Sequence, residues 1–107
     1  MASSKEYLTF VLGQLSDLGD ISYRAMMGEY ILYFRDKIIG GIYDNRLLIK
    51  PVPSALSLIP SAEYELPYDG AKEMLLVDDI ENRKFLSKLV LAMYDELPTP
   101  KRKTPKK

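Results

Sequence analysis

Residues 21–50 constrain the fold of this chain more than any other segment. Short apolar runs rich in Ile, Tyr, Leu and Phe alternate there with turn residues. Asp44-Asn45 fits a two-residue hairpin loop, because both side chains tolerate a positive φ at modest cost. Gly40-Gly41 lies within a run, which predicts a bulge or a close backbone approach. The segment predicts a β-meander with strands near 21–27, 29–35, 37–43 and 46–50.

Both faces of the predicted sheet are apolar. In the second strand Tyr30, Leu32 and Phe34 point one way, while Ile31 and Tyr33 point the other way. An antiparallel sheet with one solvated face would carry polar residues at alternate positions. We therefore expect the second face to be covered by helices or by a second subunit.

A helix is predicted before the meander. Apolar residues recur there at three- and four-residue steps, which favours a helix at about 4–18. Ser3 and Glu6 have the spacing of a capping box at its start. Gly19 fits the left-handed residue that follows a helix end.

The chain after the meander predicts a connection, a strand and a second long helix. Residues 51–70 hold four prolines, which leaves room for one short helical turn at about 54–58. Residues 71–77 favour a strand, although their apolar run could also begin a helix. Asp78 or Asp79 is the predicted cap of the last helix. The apolar stripe of that helix, which Pro98 ends, comprises Ile80, Leu86, Leu89, Val90, Met93 and Leu97.

These elements predict a β-meander with a helix before it and a strand and a helix after it. The 47% of hydrophobic residues suffices for one core. We expect a single domain over 1–98 and a disordered basic tail over 99–107. The 15 basic and 15 acidic residues give the whole chain a formal net charge of zero. Because the tail holds five of the basic residues, the domain has 10 basic and 15 acidic residues, and its net charge is −5. The cations of the tail are Lys101, Arg102, Lys103, Lys106 and Lys107.

The composition excludes most enzyme templates. The chain has no cysteine and no histidine, which removes disulfides, thiol nucleophiles, thiolate metal sites and the commonest general base. The acidic pairs at 78–79 and 95–96 are interpreted as helix-end residues, and no phosphate-binding glycine loop is present. No apolar run approaches the roughly 20 residues that span a bilayer. We expect a cytoplasmic protein without catalytic residues, cofactor, metal or membrane contact.

The segment at the first strand turn is unusual in composition. Its simplest interpretation is structural: Gly28 provides the turn conformation, and Met26 or Met27 fills the core. Arg24 would then pair with Glu29 across the hairpin.

The same segment carries a family resemblance. The run RAMMGEYILYF, followed by a glycine-containing strand and by LLIKP, resembles the N-terminal domain of the TfoX/Sxy competence-regulator family, with its Arg-x-Met-Phe-Gly-Gly turn. The resemblance covers about residues 5–97 and matches the motif at Arg24, Met26, Gly28 and Lys50. The chain departs from the pattern at Met27, where Phe is usual, at Glu29, where Gly is frequent, and at Leu48, where an aromatic residue is common.

This resemblance implies a two-layer α+β fold similar to the secretion-chaperone-like arrangement, with N- and C-terminal helices on one side of a mostly antiparallel sheet. It also implies a tendency to homodimerise. It also implies a non-enzymatic role in bacterial competence regulation, in which family members assist the cyclic-AMP receptor protein at particular promoters. The regulators that name the family carry a further C-terminal domain, so we expect this chain to be a stand-alone single-domain member.

Two functional hypotheses follow. The first is a regulatory module that contacts proteins, including the transcriptional machinery, and forms a homodimer through the second sheet face. Its candidate residues are Arg24, Met26, Met27, Gly28, Glu29, Tyr30 and Lys50. The alternative is a small ligand-binding protein or enzyme with a site around Arg24, Glu29, Tyr30 and Lys50.

The basic tail is a candidate for weak nucleic-acid binding. Five cations within residues 101–107 would give an affinity that is salt-sensitive and independent of base sequence. The tail has no aromatic side chain for base stacking. A purely solubilising tail is an equal alternative.

Overall fold

The computed structural model describes residues 3–98, and within that range the fold is α+β, as predicted. A six-stranded antiparallel sheet has the order β1-β2-β3-β4-β6-β5. The predicted basic tail lies outside the described residues. The strands are β1 Ile21–Met26, β2 Glu29–Phe34, β3 Lys37–Ile42, β4 Leu47–Ile49, β5 Tyr64–Glu65 and β6 Met74–Leu76, and the helices are α1 Lys5–Gln14, α2 Pro53–Leu58 and α3 Arg83–Tyr94.

The predicted meander is confirmed, and its strands differ from the expected ranges by one or two residues. Two-residue loops with positive φ connect β1 to β2, β2 to β3 and β3 to β4, a geometry that matches the twist of the flanking strands. Asp44 and Asn45 have φ of 54° and 56° and form the predicted loop. Met27 has φ of 53° and is 96% exposed, and Met26 is half-buried outside the core cluster. The expectation that one of them fills the core is therefore wrong.

One face of the sheet holds the hydrophobic core. The three helices pack against this face, which we call the helix-covered face. Residues on both sides of the contact are at most 4% exposed. They include Leu32, Phe34, Ile42 and Leu75 from the strands, and Leu8, Val11, Leu15, Leu86, Leu89, Val90 and Met93 from α1, α3 and the residue after α1.

The start of α1 differs from the prediction. The Ser4 hydroxyl accepts a hydrogen bond from the Tyr7 amide at 3.1 Å, which makes Ser4 the cap. The capping box of Ser3 and Glu6 is wrong, because the Ser3 hydroxyl donates to the Glu29 carboxylate instead, at 2.6 Å. A single 3₁₀ turn follows α1, and Gly19 comes after that turn. Its φ of 78° is positive, as expected, but its ψ of −140° differs from that of the left-handed residue that was predicted.

The start of α3 differs as well. The Asn82 side chain accepts from the Phe85 amide at 3.1 Å and caps the helix. Asp78 and Asp79 lie in the loop after β6, so the prediction that one of them is the cap is wrong. The predicted apolar stripe is buried at Leu86, Leu89, Val90, Met93 and Leu97, whereas Ile80 lies before the helix and is half-buried.

The Gly40-Gly41 pair produces both a bulge and a close approach. The register of β2 against β3 shifts beside this pair. A Cβ atom on Gly40 would collide with the carbonyl oxygen of Leu48. A Cβ atom on Gly41 would lie 2.6 Å from the Tyr30 carbonyl oxygen and 2.7 Å from the Tyr43 ring. Side chains are therefore excluded at both positions.

The proline-containing connection forms more structure than the sequence predicts. The short helix α2 is confirmed at Pro53–Leu58. The two-residue strand β5 was not predicted, and β6 is shorter than the expected strand over 71–77. β5 and β6 pair antiparallel, and the loop between them, residues 66–73, turns back across the sheet.

This loop covers part of the second sheet face, and the sequence did not predict that it would. Pro67 is buried, and the ring of Tyr68 lies 6.2 Å from that of Tyr43. Leu48 is fully buried although it lies outside the cluster on the helix-covered face. The apolar character of the second face is thus explained in part by residues 66–73 of the same chain. None of the helices in residues 3–98 is both long and apolar enough to cross a membrane.

Candidate interaction groove on the second sheet face

An open groove of about 540 Å³ lies on the second face, between the centre of the sheet and the loop at 66–73. We call it the second-face groove. Its volume is within the range of about 300–1,000 Å³ that is typical of ligand pockets. Apolar side chains of Met26, Ile31, Ile38, Tyr43 and Met74 form much of its lining, and the charged residues Lys50, Lys72, Glu73 and Glu96 also line it.

Two residues of the family motif reach this groove. Met26 ends β1 and is half-buried, and Lys50 follows β4 and is half-buried as well. The sheet register places them toward opposite ends of β3, because Tyr30 pairs with Ile42 and Gly40 pairs with Ile49. The groove therefore connects two positions that are 24 residues apart in the sequence.

Arg24 lies beside the groove on the same sheet face. It is exposed and sits directly across from Ile31, a groove residue. The predicted pair between Arg24 and Glu29 is wrong: no ion pair of Arg24 is present in the described part of the chain. The Glu29 carboxylate instead accepts hydrogen bonds from the Ser3 hydroxyl at 2.6 Å and from the Asp44 amide at 3.1 Å.

Glu29 and Gly28 belong to a polar cluster that holds Ser3 and Ser4, the two residues before α1. The Ser3 amide donates to the Gly28 carbonyl at 3.0 Å, and the Asn45 amide donates to the Ser3 hydroxyl at 3.0 Å. The Ser4 amide donates to the Asn45 side chain at 2.8 Å. Ser3 thus joins two hairpin loops that are distant in sequence, a role for which the sequence holds no local signal.

Tyr30 lies on the opposite side of the sheet from the groove. Its ring packs edge-on against Tyr23 at 5.7 Å and contacts the core. Lys50 lines the groove, Arg24 lies on the edge strand and Glu29 lies in the polar cluster. The four residues of the alternative hypothesis therefore do not surround one cavity.

Two ionisable groups at the groove have shifted pKa values. Burial raises the pKa of Tyr43 above 10.0, and the nearby Tyr68, Glu29 and Tyr33 add to the effect. Hydrogen bonds from the backbone and the hydroxyl of Ser54, both at 2.7 Å, lower the pKa of Glu96 below 4.5. At neutral pH the groove thus carries a neutral phenol and a fixed carboxylate.

Sequence reasoning missed the contribution of the loop at 66–73. Pro67, Tyr68 and Lys72 line the groove only because the β5–β6 pairing folds this loop over β3. The apolar Pro67-Tyr68 dipeptide inside a polar connection was the available signal. Within residues 3–98, no group of three acidic side chains is arranged to hold a metal ion.

The fold and the groove define a small α+β module with one closed face and one partly open face. Residues 13–94 match the TfoX N-terminal domain family. The chain is also 33% identical over 102 residues to the "Uncharacterized 12.7 kDa protein in trpE 5'region" of Spirochaeta aurantia, covering 94% of this chain and 89% of that protein. No solved structure matches the chain. The chain belongs to the TfoX N-terminal domain family, which confirms the resemblance seen in the sequence.

Proposed function

We propose that this chain is a non-enzymatic regulatory module that binds a protein partner in the second-face groove. The observation that carries the proposal is the groove itself, which combines an apolar lining with charged residues and an open form. Protein interfaces have this arrangement, with an apolar centre and a polar rim. The groove also contains the motif residues Met26 and Lys50.

A protein segment fits this groove better than a small substrate does. Ile38 is 38% exposed and Tyr68 is 56% exposed, so apolar surface remains open to a large partner. A catalytic site would require polar groups that converge on one reacting atom. Arg24, Glu29, Tyr30 and Lys50 do not converge in this way.

The regulatory part of the proposal comes from the family. The TfoX/Sxy resemblance implies that the bound protein belongs to the transcriptional machinery and that the process is competence regulation. The relative in Spirochaeta aurantia is described only as uncharacterized, so it adds no function. The proposal places this role in the cytoplasm, where that machinery is located.

The basic tail has a secondary place in this proposal. Pro98, the residue before the tail, lines the groove. Lys101, Arg102, Lys103, Lys106 and Lys107 would hold nearby nucleic acid weakly and without sequence preference. The groove would then select the protein, and the tail would add salt-sensitive contacts.

Affinity capture from the cells that encode the chain tests this proposal. The baits are the full chain and a chain without residues 99–107, each used at a low and a high salt concentration. Two further full-length baits carry Ile38→Lys in the groove or Leu91→Lys on the exposed side of α3. Ile38 and Leu91 are 38% and 52% exposed, so each substitution adds one charge at an accessible apolar position.

We expect a protein that is retained at both salt concentrations, by the truncated chain and by Leu91→Lys, but lost with Ile38→Lys. Burying a lysine ammonium against apolar surface is unfavourable, which is the reason for that loss. Capture that requires residues 99–107 and disappears at high salt would contradict the role of the groove. Equal capture by Ile38→Lys and Leu91→Lys would contradict it too.

A further inference from the structure

The strand β1 forms one edge of the sheet and is poorly protected against pairing. It has six residues, contains no proline and carries a single charge, on Arg24. Proteins usually protect an edge with short strands, prolines, charges or bulges. The opposite edge, β5, follows this rule because it has two residues. The two edges of the sheet therefore differ in their capacity to accept another strand.

The hydrogen-bond pattern shows which groups of β1 face outward. The Arg35 amide donates to the Asp20 carbonyl, and Met26 pairs with Glu29 across the two-residue loop. Hydrogen-bonded positions alternate along an antiparallel pair, so the even-numbered residues of β1 bond to β2. The backbone groups of Ile21, Tyr23 and Ala25 consequently point away from the sheet, although the Ile21 amide contacts the Gly19 carbonyl.

We propose that β1 pairs antiparallel with β1 of a second copy of this chain, with Tyr23 opposite Tyr23. The three outward-facing residues are centred on Tyr23, so a two-fold axis at this residue uses all of them. The two Tyr23 residues exchange both backbone bonds, and each Ala25 amide donates to the Ile21 carbonyl of the other copy. This register needs no change in either sheet.

Neighbouring registers are less favourable. If one β1 strand slides by two residues along the other, in either direction, fewer of the three outward-facing residues find a partner. One of these shifts also places Arg24 opposite Arg24, and directly opposed like charges destabilise a strand pair. In the proposed register Arg24 lies opposite Ser22 of the second copy, which avoids that repulsion.

The side chains beside the edge suit this pairing. Tyr23 is 43% exposed, and its ring borders a hollow lined by Leu12 and Ile21. The two Tyr23 rings would be cross-strand neighbours on the same face, a contact that stabilises sheets. Pairing would therefore bury apolar surface that a single chain exposes to water.

The proposed dimer leaves the second face open. A two-fold axis perpendicular to the sheet keeps the two second faces on one side, so both second-face grooves are presented together. This consequence rests on the proposed function, but the pairing itself does not. The sequence-based expectation of a homodimer is thus retained with another interface, the β1 edge instead of the second face.

Sedimentation equilibrium of the full chain over a range of concentrations tests the pairing. We expect the mass to rise from 12.2 kDa toward twice that value. Tyr23→Lys should weaken association roughly tenfold or more, because it opposes two ammonium groups at the axis. Phe10→Lys is the matched control, since Phe10 on α1 is also 43% exposed but belongs neither to β1 nor to the lining of the hollow that Tyr23 borders. An equimolar mixture of Tyr23→Lys and Tyr23→Glu should recover the dimer mass, which excludes misfolding as the cause.

A wild-type mass of 12.2 kDa at every concentration would overturn the proposal, as would equal weakening by Phe10→Lys.

Single cysteines test the register, because the chain has no native cysteine. Under mild oxidation, Tyr23→Cys should cross-link more than Ser22→Cys or Arg24→Cys. A higher yield at 22 or 24 would overturn the Tyr23-centred register. These measurements involve no other protein, so they fail or succeed independently of the groove proposal.

Discussion

The two faces of the sheet are built from the same strands but differ in how they are covered. In β2, Leu32 and Phe34 on the helix-covered face are fully buried, whereas Ile31 and Tyr33 on the second face are half-buried. Three helices close the first face, and one loop covers part of the second. Apolar residues on both sides of a strand therefore do not establish two equally closed cores.

The first prediction compares neighbours on the two faces. Leu32→Ala should lower the free energy of unfolding by about 2–5 kcal/mol, because it leaves a cavity in a closed core. Ile31→Ala should cost about half as much or less, since Ile31 is already partly solvated. Urea unfolding of both variants and the wild type measures the difference. Equal costs would show that the second face is as closed as the first.

The second prediction concerns the glycines where β3 meets its neighbours. Gly41→Ala should destabilise the fold by about 1–3 kcal/mol, because its Cβ would press against Tyr30 and Tyr43. Gly13→Ala in α1 is the control, and it should stabilise by about 0.5–1 kcal/mol, since a Cβ there meets nothing within 4 Å. Thermal unfolding gives both values. A tolerated Gly41→Ala would contradict the close approach of Gly41 to Tyr30 and Tyr43.

The smallest effect is expected where the groove meets the helices. The pKa of Glu96 is lowered by its bonds to Ser54, so its ionised form contributes stability above pH 4.5, and this contribution is lost as the pH falls through the lowered pKa. Glu96→Gln should be slightly less stable than the wild type at pH 7, and the gap should close in acid. Glu63→Gln, at another exposed carboxylate, is the control. A gap that persists at low pH would contradict this role of the Glu96 charge.

The sequence predicted most of the fold but little of the groove. Strands, the long helices and the Asp44-Asn45 loop follow from local periodicity and turn chemistry, which adjacent residues encode. The caps at Ser4 and Asn82 were missed because the predicted residues Ser3 and Asp78 or Asp79 have equally suitable side chains.

The groove depends on contacts that are distant in the sequence. Met26, Lys50 and the loop at 66–73 meet through the sheet order, which no local pattern specifies. Glu29 was expected to face Arg24, but its position beside Ser3 and Asp44 results from the packing of the N-terminus against two hairpins. Local reasoning therefore located the candidate segment and could not assign a role to each of its residues.

In the proposed function, the second face and not the helix-covered face acts in regulation. Transcript profiling distinguishes the two faces in cells that lack the gene and are complemented with the wild type, Ile38→Lys or Leu91→Lys at equal protein levels. We predict that deletion changes a defined set of transcripts, that the wild type and Leu91→Lys restore them, and that Ile38→Lys does not. An unchanged transcript profile on deletion, or full restoration by Ile38→Lys, would contradict the claim.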